Sequence, residues 1–178
     1  MSKLIISLCL LILTSSSRSQ TANEFYNSGI SKNKNHDYKG AILDFNKALI
    51  LNSNDINIYF NLALNKLLLH DNIGAIAALN KAIALNPKEP QSFYRRGICK
   101  KEMNDFSGAI LDFTKTLDLG PNDANTYQQR GLCKSSMKDF KGFIADFTSV
   151  INIKPNYGIA YSQRANSKVQ IKDYGGAK

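Results

Sequence analysis

Histidine is scarce: two residues in 178, too few to build most imidazole-based metal or acid–base sites. His36 and His70 have no cysteine or glutamate at metal-ligand spacing, and they fall at one turn position of successive segments, where solvated turn residues are expected. Also missing are G-x-S-x-G, H-E-x-x-H and G-x-x-x-x-G-K-[ST], so no catalytic constellation is found and neither metal nor cofactor is expected. The Gly175-Gly176 pair follows the repeat pattern described below and is not a nucleotide cradle. Cysteine is sparse too: beyond Cys9 there are only Cys99 and Cys133, at equivalent positions one segment apart. A bridge needs Cα atoms within about 7 Å, whereas packed helices lie ~8–10 Å apart, so both are expected as small, buried, free thiols.

The apolar run Leu4–Leu13 is short of the ~20 residues a membrane helix needs. With Lys3 before it and small residues at Ser17 and Ser19 after it, the segment 1–19 reads as a secretory signal peptide cut near Ser19. A retained anchor and lipidation of Cys9 are the weaker alternatives, the latter opposed by the bulky Leu8 and by the position of Cys9 inside the run. The export that follows is to the periplasm or the exterior, and the mature chain, with 21 basic and 14 acidic residues, carries +7.

What the sequence does have is repetition. A shift of 34 residues aligns Phe25, Tyr59, Phe93, Tyr127 and Tyr161; Gly29, Ala63, Gly97, Gly131 and Ala165; and Asp37, Asp71, Asp105, Asp139 and Asp173. It also aligns Gly40, Gly74, Gly108, Gly142 and Gly176, and then Pro87, Pro121 and Pro155. The array occupies 20–178, in units 22–55, 56–89, 90–123, 124–157 and a partial 158–178. Within 90–123, Phe93, Arg96, Gly97 and Lys100 mark one side of a first helix, Asp105 is placed to cap a second, and Ala109, Ile110, Phe113 and Leu117 form its apolar stripe. Gly120, in a left-handed conformation, and Pro121 are expected to stop it. The small Gly97 is expected to let the first helix approach the second near Ala109. One pair cannot bury its apolar stripes alone, so the pairs must stack.

This unit resembles a tetratricopeptide repeat through Phe93, Gly97, Ala109, Phe113 and Pro121 and their equivalents, from Ala22 onward. The resemblance implies an all-α, right-handed α-solenoid of stacked helix-turn-helix units. The chain departs from the family pattern at Arg96, Arg130 and Arg164, where leucine is usual, and at Lys32, Lys66, Lys100, Lys134 and Lys168, where tyrosine is common. Phe143 stands where other units have alanine and is expected to shift the local helix crossing. The partial fifth unit is either a cap or part of a longer array; Tyr161, Val169 and Ile171 lack the polar outer side of a cap.

Asp44, Asp112 and Asp146 align opposite the arginine column and are expected to form helix-to-helix ion pairs, within a unit or to the next. The lysine column either covers aromatic neighbours with its stems, heads in water, or forms an anion-attracting ladder. The far side of each first helix is not needed to hold its pair together. In the family that side lines a concave groove, which implies a peptide-binding floor of Tyr26, Ile30, Phe60, Leu64, Tyr94, Ile98, Gln128 and Leu132. The same side chains could instead pack against adjoining first helices. A lysine-and-asparagine clamp for acidic C-termini is absent, because aromatic and aliphatic residues hold most of those positions. The expected function is a non-enzymatic interaction scaffold for another protein or peptide, in preference to nucleic acid. The alternatives are an anion-binding surface for nucleic acid, glycan or lipid headgroup along the lysines, or the non-catalytic arm of a longer enzyme.

Overall fold

The computed structural model describes residues 21–120 and 122–171. The expected signal peptide, the stop at Pro121 and the repeat positions from Lys172 to Lys178 lie outside the described residues. Among those described there is no strand. Helix α1 covers 21–34, followed by α2 (Tyr38–Leu51), α3 (Ile56–Leu68), α4 (Asn72–Leu85), α5 (Pro90–Glu102), α6 (Phe106–Leu119), α7 (Ala124–Ser136), α8 (Phe140–Ile153) and α9 (Gly158–Gln170). This is an all-α helical repeat fold, with α3 packed on α4, α5 on α6 and α7 on α8 and, inside a unit, α2 packed on α3, α6 on α7 and α8 on α9. The chain divides into two compact units, one ending at Pro87 and the other starting at Lys88.

The turn inside each pair is set by one aspartate acting on both sides. The Asp37 N–H donates to the Lys32 carbonyl (2.9 Å), closing α1 in a Schellman motif, while its carboxylate accepts from the Gly40 N–H (2.9 Å) and opens α2. Asp71, Asp105 and Asp139 repeat both bonds. A Cβ at Gly40, Gly74, Gly108 or Gly142 would overlap the capping carboxylate, which accounts for that glycine column. The left-handed residue the motif requires is His36, His70, Asn104 or Lys138, with φ of 60° to 63°. Gly120, expected to be left-handed, is instead extended at φ −157° and ψ 91°, because the second helix runs out into a straight connection and not a Schellman turn.

In the first unit, Phe45, Leu79, Ile58 and Leu62 are buried along α2, α4 and α3. In the second, Ala109, Phe113 and Cys133 form one cluster, and Ala124, Phe143, Phe147, Val150, Ile151 and Ala160 another. Gly97 does not face Ala109 as its nearest neighbour; a Cβ there would lie 2.8 Å from the Phe113 ring, so small faces large. Phe143 fits by stacking on Phe147, with ring centroids 4.1 Å apart. Cys99 and Cys133 are free and buried, as expected.

Candidate functional site

The arginine and aspartate columns meet. Arg96 grips Asp112 with Nε–Oδ2 at 2.9 Å and Nη2–Oδ1 at 2.6 Å, and Arg130 grips Asp146 at 3.1 Å and 2.6 Å. These are bidentate bonds inside one helix pair. Arg130 also donates from Nη1 to Thr114 of the preceding pair (3.1 Å), and Arg164 does the same to Thr148 (3.4 Å). One guanidinium thus fastens its own pair and the one before it.

The lysine heads do not simply reach water. Lys100 and Lys134 close on the same buried aspartates, at 2.8 Å from Asp112 and 2.9 Å from Asp146, and Lys32 lies 2.6 Å from Asp44. Ser28, standing at the arginine position, donates to Asp44 as well (2.6 Å). Those bonds from Lys32 and Ser28 hold the Asp44 carboxyl below its ordinary value despite burial. Where Ala78 replaces the aspartate, Lys66 turns to the capping Asp71 at 2.8 Å. Four of the five ladder lysines are therefore neutralised by carboxylates, which leaves little free charge for a polyanion.

All eight residues placed on the groove floor are half-buried. Tyr26 and Ile30 lie on α1, Phe60 and Leu64 on α3, Tyr94 and Ile98 on α5, and Gln128 and Leu132 on α7. The expectation that this side plays no part in holding the pairs is overturned. The Tyr26 ring sits 5.9 Å from Phe45 and the Tyr94 ring 5.7 Å from Phe113, each on its own second helix. Tyr94 and Ile98 pack on the Phe113 cluster, and Leu132 on the Phe147 cluster. Burial pushes the Tyr94 hydroxyl above its ordinary value. For Tyr26, Tyr94, Ile98 and Leu132, what remains for a ligand is the outer part of the side chain, the inner part being packed.

Polar side chains cross between first helices beside these residues. Asn61 donates to the Tyr26 hydroxyl (3.1 Å) and Asn33 to Asn65 (2.8 Å) in the first unit. In the second, Lys101 donates to Gln129 (2.6 Å), and Gln128 lies 3.5 Å from the Tyr157 hydroxyl. The repeat frame signals this row, since the column 27, 61, 95, 129, 163 holds Asn, Asn, Arg, Gln and Gln, polar throughout. No group of three or more His, Cys, Asp or Glu side chains suited to a metal occurs among the described residues. Nor, among them, is any helix long and apolar enough to cross a membrane.

Residues 56–89 and 124–157 match the family model described as tetratricopeptide repeat. Comparison with curated protein sequences finds no match. Among solved structures, the chain is similar to one titled crystal structure of MamA protein: 22% identity over 89% of this chain and 86% of that one, TM-score 0.84. It is also similar to YrrB, titled a TPR protein with an unusual peptide-binding site, at 17% identity over 86% and 79% of the two chains, TM-score 0.76. A third is the first TPR of Spaghetti bound to the HSP90 peptide SRMEEVD, at 22% identity over 67% of this chain and 95% of that one, TM-score 0.65. At these identities the likeness is one of fold.

Proposed function

We propose that the chain is a non-catalytic scaffold that holds a peptide or protein segment on first-helix faces within its units. The observation that carries this reading is the half-buried state of the eight floor residues. Rings and aliphatic chains locked on one side by Phe45, Phe113 and Phe147 are pre-organised anchors, so ordering them on binding costs little further entropy. The two similar folds whose titles name a peptide or a peptide-binding site support the same reading. The acidic peptide SRMEEVD is not the ligand expected here, since the clamp positions carry aromatic and aliphatic residues. Export by the segment 1–19 places this scaffold in the periplasm or outside the cell.

The test is partner capture from extracellular or periplasmic extract by the chain from Gln20 onward, compared with Phe60→Ala combined with Tyr94→Ala. The expected result is weakened capture with helical content unchanged. Equal capture by both proteins would contradict the reading.

A further inference from the structure

The second helices of the first unit turn a basic and apolar face outward. On α2 the exposed side chains are Lys39, Leu43, Asn46, Lys47 and Ile50, which at about 100° per residue fall in one arc roughly 100° wide. On α4 the same arc holds Ile73, Ala77, Asn80, Lys81 and Ala84. Leu43, Ile50 and Ile73 are 62%, 74% and 72% exposed, so the fold itself makes little use of them. The only acid in either helix is Asp44, which is buried, with Lys47 at 3.5 Å. Lys39 and Lys81 have no carboxylate within ion-pair reach among the described residues. The second unit lacks this combination: Asp118 and Asn152 stand at the position of Ile50, and Ser107 and Lys141 at that of Ile73.

The chain just past α2 meets the last turns of α4 at a cavity of about 360 Å³, lined by Ser53, Asn54, Tyr59, Lys81, Ala84 and Leu85. Its polar lining is an ammonium, two hydroxyls and an amide, and neither Lys81 nor the Tyr59 hydroxyl has a side-chain partner among the described residues. No carboxylate lines it. The neighbouring Asp55 spends its side chain on the Asn57 N–H (2.9 Å), capping α3.

We propose that this second-helix face of the first unit rests on an anionic phospholipid surface, with a headgroup phosphate in the cavity against Lys81. A phosphate is negatively charged and offers only acceptors, which matches a cation flanked by hydroxyl and amide donors. A free phosphoester would use the cavity but leave Leu43, Ile50 and Ile73 in water; a lipid surface uses both. A protein partner would have to cover Lys39, Lys47 and Lys81 together with the apolar side chains. At a bilayer the lysine stems lie along the apolar layer while their heads reach the phosphates. The contact is peripheral, since no described helix is long and apolar enough to cross a membrane. It is independent of the peptide-binding reading, whose residues lie on first helices.

The experiment floats the chain from Gln20 onward with vesicles of phosphatidylcholine alone and of phosphatidylcholine mixed two to one with phosphatidylglycerol. Flotation with the mixed vesicles only, declining as salt is raised, is expected. Lys81→Gln should weaken it about fivefold. Leu43→Ser combined with Ile73→Ser should weaken it about tenfold at unchanged helical content, because both side chains are exposed. Leu111→Ser, an exposed apolar position on α6 of the other unit, should change nothing. No flotation with either vesicle, or flotation indifferent to Lys81→Gln and to the double serine variant, would overturn the proposal. So would saturable binding of glycerol phosphate without flotation, which would make the cavity a site for a free phosphoester.

Discussion

Gly97 lies beneath the Phe113 ring so closely that a Cβ added to it would stand 2.8 Å from Cε1. Gly29 has the same relation to Phe45 and Gly131 to Phe147, at 2.6 Å and 3.0 Å. In the second repeat Ala63 is paired, sixteen residues on, with the smaller Leu79, and both are fully buried. The volume removed from one helix is returned on the other.

Gly97→Ala should therefore destabilise by about 1–3 kcal/mol through overpacking, outweighing the ~1 kcal/mol that alanine gains in a helix. Adding Phe113→Leu should recover much of the loss, reproducing the Ala63 and Leu79 combination. Urea unfolding of the two single variants and the double variant measures the coupling; strict additivity would refute it.

The left-handed turn residues carry a cost that glycine lacks. Lys138 has φ 63° and an exposed side chain, so Lys138→Gly should stabilise by about 1 kcal/mol. Gly120 is extended with open space around its Cα, so Gly120→Ala should stabilise by about 0.4–1 kcal/mol through the unfolded chain. Thermal unfolding of both variants checks the pair, and a drop in Tm for Gly120→Ala would contradict the extended assignment.

Breaking a buried charge cluster leaves its partners uncompensated. Asp146→Ala strands Arg130 and Lys134 and should cost about 2–4 kcal/mol, with the larger effect on the pair α7 and α8. Asp44 supplies the pH test. Its carboxyl is held down in the folded chain by Lys32 and Ser28, so its stabilisation is complete above the ordinary value of 3.8 and is lost as pH falls through the lower folded value. Accordingly, Asp44→Asn should be less stable than the parent at neutral pH and the gap should close at strongly acid pH. A gap independent of pH would refute the assignment.

Burial pushes the Cys99 thiol up to about 12, and the Cys133 thiol also upward. At pH 8 both should react with a thiol reagent only on opening of the fold, at a rate that follows global unfolding in urea. Rapid labelling of either in the folded chain would contradict its placement.

The helices and their order were legible because a strict 34-residue period repeats the same helical stripe and the same capping aspartate, as at Asp37, Asp71 and Asp105. The Arg96 and Asp112 pairing was legible for the same reason, as two columns that face each other and are both lost in the second repeat, at Leu62 and Ala78. The lysine heads were less so, since periodicity puts Lys100 on the inner side without saying that it shares Asp112 with Arg96. Gly120 misled because glycine after a helix usually marks a left-handed turn, while the motif that needs one here sits in the other loop, on Asn104. At the candidate site, helical angle placed Tyr94 and Ile98 on one face, but only packing shows that Phe113 immobilises them.

Site-specific photocrosslinking tests most directly whether the first helices hold the ligand. Benzoylphenylalanine would be placed at Tyr94 and Gln128 on the first helices and, for comparison, at Leu43 and Leu111, exposed apolar positions on second helices. Adducts with a captured segment from positions 94 and 128 and none from 43 and 111 are the predicted result. Adducts from 43 or 111 alone would contradict it.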